Sequence, residues 1–208
     1  MYTVNRNITS YIPNRYVSRT QELKIHYLMD YIPCSAERYN GFTVSSEEQA
    51  IRREVWNFKD GCCSQRIFNG LVKGVRELAD GNTVVCFLPA STAEKTRCRY
   101  SRVSENLMRF TGIPCSCSAI RKNSDGLSGH IAGKQEDPAS DFVFDSSFFR
   151  GKKVILIDDV VTRGNTIKGT ARRILEAGAS EVVGLVVART YNPYWSGSDS
   201  RNLVRIAG

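Results

Sequence analysis

Asp158 and Asp159 stand side by side at the end of an apolar run, Val154 to Ile157, and Thr162, Gly164 and Thr166 follow a few residues later. A run of that length suits a strand buried on both faces. Carboxylates at the end of a parallel strand lie in the crevice where open α/β sheets bind ligands. There they can accept hydrogen bonds from a cis-diol such as the 2′ and 3′ hydroxyls of a ribose. Gly164 lets the backbone approach an anion, and Thr162 and Thr166 supply hydroxyl donors. A helix starting near Asn165 turns its first amides and its positive dipole end toward the same spot. These groups, in this order, suit a sugar diol and a phosphate held side by side. The alternative is a strand that ends in two solvated aspartates and a polar turn.

The elements around the motif must position it. Ser45-Ser46-Glu47-Glu48 has the form of a capping box and opens a helix with Ile51, Val55 and Phe58 on one face, stopped at Asp60-Gly61. A second helix from about Ser64 carries Ile67, Phe68, Leu71, Val72, Val75 and Leu78 inward and ends at Gly81. Val84 to Leu88 reads as a buried strand leading into Pro89-Ala90-Ser91-Thr92. A helix near Ser101 to Thr111 follows, then strands at about 115–120 and 142–144, with a polar stretch over 121–140 between them. A loop of that length inside a compact domain is a functional lid or a disordered segment. The motif strand, a helix over 165–177 and a strand from Val182 to Ala188 complete two strand–helix units. Strands alternating with helices predict an α/β fold with a parallel central sheet and helices on both faces. Residues 45–208 form this domain. Residues 1–44 read as irregular, hold six of the nine tyrosines, and with the other chain end make a small hood.

The pair of acids followed by Thr-x-Gly-x-Thr after an apolar strand closely resembles the 5-phosphoribosyl 1-pyrophosphate motif of type I phosphoribosyltransferases. The resemblance implies that ligand, and Mg²⁺ with it, held by Asp158 and Asp159. It implies that Val160, Val161, Thr162, Arg163, Gly164, Asn165 and Thr166 bind substrate. It also implies a pyrophosphate loop at Ala90, Ser91 and Thr92, with Arg97 and Arg99 close behind. In the family a flexible catalytic loop lies where 121–140 lies here. Its cations and histidine are Arg121, Lys122, His130 and Lys134, of which Lys134 is assigned the catalytic role beside Asp158 and Asp159. Over residues 50–190 the chain is further similar to the competence-associated ComF family. That likeness rests on Trp56-x-Phe58-Lys59-Asp60-Gly61, the Arg-rich stretch after Pro89, and Gly164-x-Thr166 with Ala177-Gly178-Ala179 and Val187-Ala188-Arg189-Thr190. The chain departs from that family in lacking its N-terminal zinc ribbon and in having Arg97-Cys98-Arg99-Tyr100-Ser101 in place of Arg-Gly-Phe-Asn. Arg163 and Asn165 also fill positions where small residues are usual.

Composition narrows the setting. Seven cysteines at irregular spacing argue against a disulfide framework and for a reducing, cytoplasmic compartment. Cys62-Cys63 and Cys115-x-Cys117 lack zinc-ribbon spacing, so packing is their simplest role. No apolar run reaches membrane-spanning length, and the N-terminus lacks a signal-peptide core. The net charge of +8 favours anionic partners, a phosphorylated substrate or nucleic acid. A homodimer is the default assembly. Tyr191, Pro193, Tyr194 and Trp195, with the N-terminal tyrosines, suit stacking on a nitrogenous acceptor and equally suit packing. Three functions are compatible with this reading. One is a Mg²⁺-dependent transferase that releases pyrophosphate, one a non-catalytic sugar-phosphate sensor, and one a DNA-uptake or nucleic-acid-associated protein.

Overall fold

The computed structural model describes residues 10–11, 22–35, 43–123, 139–190 and 203–206. In chain order the strands are β1 (Ser10–Tyr11), β2 (Glu22–Leu23), β3 (Ile25–Tyr31), β4 (Thr83–Phe87), β5 (Cys115–Ser116), β6 (Ile120–Lys122), β7 (Phe142–Phe144), β8 (Lys153–Val161), β9 (Glu181–Thr190) and β10 (Leu203–Arg205). The helices are α1 (Ser46–Lys59), α2 (Gln65–Leu78), α3 (Ala93–Thr111), α4 (Ser146–Phe149) and α5 (Asn165–Glu176). Six strands form one sheet in the order β10-β3-β9-β8-β4-β5, with every pair parallel. Parallel strands need their hydrogen-bonding edges joined by crossovers on the faces, and the apolar runs of β4, β8 and β9 are buried on both sides.

Two cores result. On one face Val55, Phe58, Ile67, Leu71, Val75, Tyr100, Val103 and Leu107 of α1–α3 pack on Val85, Phe87, Ile155, Ile157 and Leu185. On the other, Ile167, Ala171 and Ile174 of α5 and Phe149 of α4 pack on Val84, Cys86, Val154, Leu156 and Val182. The expected sheet with helices on both faces is the observed one.

Local signals set the helix starts. Ser45 Oγ accepts from the Glu48 N–H at 3.2 Å while the Ser45 N–H donates to Glu48 Oε2 at 2.8 Å, a complete capping box. Ser64 Oγ accepts from the Ile67 N–H at 3.3 Å, and Thr92 Oγ1 from the Lys95 N–H at 3.1 Å. Among the helices named here, α5 begins differently. Its N-cap is Gly164, with no side chain to bond the first amides.

Four expectations change. The stretch read as irregular contributes β3, which lies inside the main sheet between β10 and β9. Ile25, Tyr27 and Met29 alternate with less buried neighbours, a period-2 pattern that the polar His26 and the phenols disguise. Helix α3 begins at Ala93 rather than near Ser101, which puts Arg97 and Arg99 on a helix instead of in a loop. The strand expected over 115–120 is two pieces: β5 stays in the main sheet, whereas β6 pairs antiparallel with β7. The motif strand runs through both acids to Val161.

Candidate functional site

Strands β4 and β8 are neighbours, and the Leu88 N–H still donates to the Ile157 carbonyl at 2.8 Å past the end of β4. The loop after β4 and the loop after β8 therefore leave the sheet side by side at its C-terminal edge. Residues on β8 alternate between the two cores, Val154 and Leu156 toward α5 and Ile155 and Ile157 toward α1–α3. The alternation breaks at the acids: beyond them Val160 packs with the α1–α3 core and Val161 with the α5 core, and Arg99 and Lys59 act on both carboxylates.

Asp158 opens onto a pocket of about 280 Å³ lined by Val160, Val161, Thr162, Arg163, Gly164, Asn165, Thr166 and Ile167. Each residue expected in the phosphate loop is in that wall. Gly164 sits at φ +74°, the left-handed region; a Cβ there would meet Lys168 and Val161 at an ordinary 3.5 Å, so backbone conformation rather than space demands glycine. Gly164→Ala should cost about 1–2 kcal/mol in thermal unfolding and should weaken phosphate binding by re-aiming the first turn of α5. Thr162 Oγ1 lies 3.1 Å from Thr190 Oγ1 at the end of β9, so the loop is tied to the next strand.

Asp159 has other neighbours. Arg99 Nη1 donates to its Oδ2, Lys59 Nζ is 3.8 Å from its Oδ1, and the Arg99 Nε–H donates to the Lys59 carbonyl at 2.9 Å. Arg99 is thus held against an acid of the motif, while Arg97 is exposed on another side of α3. Burial, and next the adjacent Asp159 charge, push the Asp158 carboxyl up to about 7; the Asp159 N–H, Arg99 and Lys59 pull the other way. Tyr100 packs beneath, fully buried against Phe87 and Phe58, and burial raises its phenol well above the usual range.

The Ala90–Thr92 loop is partly committed to its own structure. The Ala90 N–H donates to Thr96 Oγ1 at 2.9 Å, and that hydroxyl donates to the Thr92 carbonyl at 2.9 Å. Ser91 and Thr92 are exposed, and Lys122 Nζ donates to the Ser91 carbonyl at 3.2 Å. Thr96→Val would strand the buried Ala90 amide, and a loss of about 1–3 kcal/mol is expected by chemical denaturation. Lys134, His130, Tyr191, Pro193, Tyr194 and Trp195 lie outside the described residues. Of the N-terminal tyrosines, Tyr27 is core, and Tyr31 accepts a 3.3 Å hydrogen bond from Trp56 Nε1.

Sequence reasoning overlooked Lys59 as a neighbour of the acids, Thr96 and Thr190 as loop anchors, and a part-buried ion pair. In that pair Arg189 Nη2 is 2.8 Å from Asp30 Oδ1, and the guanidinium lies 4.7 Å from the Tyr27 ring centre. Lys59 and Arg189 each stand in segments singled out by pattern. Nothing in their spacing names the partner, because Arg189 and Asp30 are 159 residues apart. Cys115 and Cys117 pack against the α1–α3 core, and burial pushes the Cys115 thiol up to about 12.

Residues 100–195 match the phosphoribosyl transferase domain family. The matched stretch contains most of α3, the acids, the pocket loop and β9. The bifunctional protein PyrR of Citrifermentans bemidjiense is 31% identical over 91 residues, 41% of this chain and 47% of that protein. A hypoxanthine/guanine phosphoribosyltransferase of Methanohalobium evestigatum is 31% identical over 87 residues, 40% of this chain and 45% of that protein. The chain therefore spans about half the length of the curated relatives it matches. Among solved structures, an adenine phosphoribosyltransferase is similar at 16% identity with a TM-score of 0.44, covering 76% of this chain and 84% of that one.

Proposed function

We propose that this protein binds 5-phosphoribosyl 1-pyrophosphate and transfers its phosphoribosyl group to a nitrogenous acceptor of nucleobase type, releasing pyrophosphate. The observation that carries this reading is the pocket in which Asp158 and the unfilled N-terminus of α5 share one wall. In it the Thr162–Thr166 loop and the first amides of α5 bind the 5-phosphate. Asp158 accepts hydrogen bonds from the ribose hydroxyls, and its charge favours the cationic character that develops at C1′ as the bond to the pyrophosphate oxygen breaks. Ser91 and Thr92, at the end of the adjacent strand, lie where the leaving group departs, with Lys122 fastening their loop. The acceptor nitrogen attacks C1′ from the other face. The names of the relatives, hypoxanthine/guanine phosphoribosyltransferase among them, support a base as acceptor.

Among the described residues no group of three or more His, Cys, Asp and Glu side chains gathers to cage a metal. One carboxylate at the pocket wall nevertheless fits Mg²⁺ carried by the substrate, an ion that keeps several waters and needs one or two protein carboxylates beside phosphate oxygens. When bound, Mg²⁺ neutralises pyrophosphate charge. Asp158 would face it.

A sensor that binds the same ligand without turnover is favoured by one specific observation, the commitment of the Ala90 amide to Thr96. A narrower kinship with competence-associated proteins draws its support from the Trp56–Gly61 segment, whose Lys59 lies beside the acids. Calorimetric titration of phosphoribosyl pyrophosphate with Mg²⁺ into the wild type and the Asp158→Asn/Asp159→Asn variant tests the site. Pyrophosphate release with added bases then separates enzyme from sensor. A folded wild type that does not bind would end both readings.

A further inference from the structure

Helix α2 and the strands β3 and β10 enclose a second hollow of about 320 Å³, which shares no residue with the pocket at Asp158. Leu28, Met29 and Ile206 form its apolar side, all three packed with the core under α1–α3. Gly70 keeps the hollow open, since a Cβ there would lie 2.8 Å from Leu28 Cδ1. Three cations, Arg66, Lys73 and Arg205, and the amide of Asn69 complete the wall, and no carboxylate lines it. Arg66 and Lys73 stand two turns apart on α2, about 10 Å along the axis. Arg205 comes from the edge strand β10, so the three charges meet only through the fold.

The acids nearest these cations hold them loosely. Arg66 Nη1 is 3.8 Å from Glu54 and Lys73 Nζ is 4.0 Å from Glu77, both longer than hydrogen bonds, and the two cationic side chains are 55% and 42% exposed. Exposed pairs of this kind contribute little, so an anion in the hollow can compete for both cations. Asn69 Oδ1 accepts from Gln65 Nε2 at 2.7 Å, so what Asn69 offers a ligand is its amide N–H donors.

Three positive charges with no acid between them select a multiply charged anion, and guanidinium forks match phosphate oxygens. The apolar side and the amide donors suit a flat body with acceptors at its edge. A hollow of this size lies at the lower end of the range of small-molecule sites. A nucleic-acid strand would call for aromatic rings on which to stack its bases, and this wall has none. We propose that the hollow is a second ligand site, which takes a phosphate monoester with a heteroaromatic body, of the size of a nucleoside monophosphate. The motif pocket contributes no group to it, so the site stands independently of the transferase reading.

The test must resolve the two sites, because a nucleoside monophosphate can also enter the motif pocket. AMP, GMP, CMP and UMP are titrated in turn into methyl-labelled protein. Resonances of Met29 and Ile206 report on the hollow, and those of Val161 and Ile167 on the motif pocket. At least one mononucleotide should shift the Met29 and Ile206 methyls saturably, about tenfold more tightly than inorganic phosphate does. Arg66→Gln/Arg205→Gln removes two charged contacts and should weaken that binding about a hundredfold, with the response at Val161 and Ile167 unchanged. Should that variant melt below wild type, Lys73→Gln alone carries the test, with a loss of about tenfold expected. The proposal is overturned if no mononucleotide moves the Met29 and Ile206 methyls, or if their response survives the charge removal. It is equally overturned if inorganic phosphate, or an oligonucleotide without a terminal phosphate, binds there as tightly as every mononucleotide.

Discussion

At pH 8, Asp158→Asn is expected to unfold at a higher temperature than wild type while losing about a hundredfold in affinity for phosphoribosyl pyrophosphate. The folded protein raises this carboxyl from the ordinary 3.8 to about 7, chiefly by burial and then by the charge of Asp159. Between those two values the native state holds a proton that the unfolded chain has released. Stability therefore falls as pH rises through that window, and above it the full cost of a charged Asp158 stands. Asparagine carries no charge at any pH and removes the cost. Because the side chain is only half-buried and partly screened by water, the gain is about 2 kcal/mol, or roughly 4–8 °C for a chain of this size. Near pH 4 the two proteins should melt together. Scanning calorimetry at both values, paired with ligand titration, checks the sign of each effect. A variant that is less stable than wild type at pH 8 would show that Asp158 is a structural acid, not one held at a cost for a ligand.

Gly61→Ala should be among the most damaging single-methyl changes in the chain. Gly61 follows α1 at φ +89°, and a Cβ there would lie 2.6 Å from the Cys98 carbonyl oxygen and 3.1 Å from its Sγ. The carbonyl is helix backbone and cannot rotate away, so the end of α1 must separate from α3. The left-handed backbone adds its own penalty. A loss of about 2–4 kcal/mol is expected, measured by chemical denaturation. The displacement falls between Lys59 and Arg99, so affinity for the sugar phosphate should drop with stability. Gly81→Ala is the control, since a Cβ there meets nothing within 4 Å; it should stay within about 0.5 kcal/mol of wild type. Equal behaviour of the two variants would mean that the close approach of α1 and α3 contributes nothing.

Much of the site is written locally, and so was readable from the sequence. The run Val154–Ile157 needs no partner to be identified as a buried strand, and the loop Thr162–Thr166 is legible because glycine, hydroxyls and a following helix act over a few residues. Ser45, Ser64 and Glu48 announce helix starts for the same reason: a cap bonds an amide two or three residues away. The alternation of strands and helices then leaves few parallel arrangements. What only the tertiary structure decided depends on long-range packing and charge pairing. Asp158 and Asp159 are chemically equal in the sequence, yet in the fold Asp158 lines a pocket while Asp159 carries the direct contact to Arg99. Arg97 and Arg99 look alike until α3 turns one outward and one inward. β3 escapes notice because its Tyr27 and His26 resemble loop residues until β9 pairs with it and Arg189 finds Asp30. Spacing along a chain carries the period of an element, but the partner of a charge is set by which elements pack together, and that is a property of the fold.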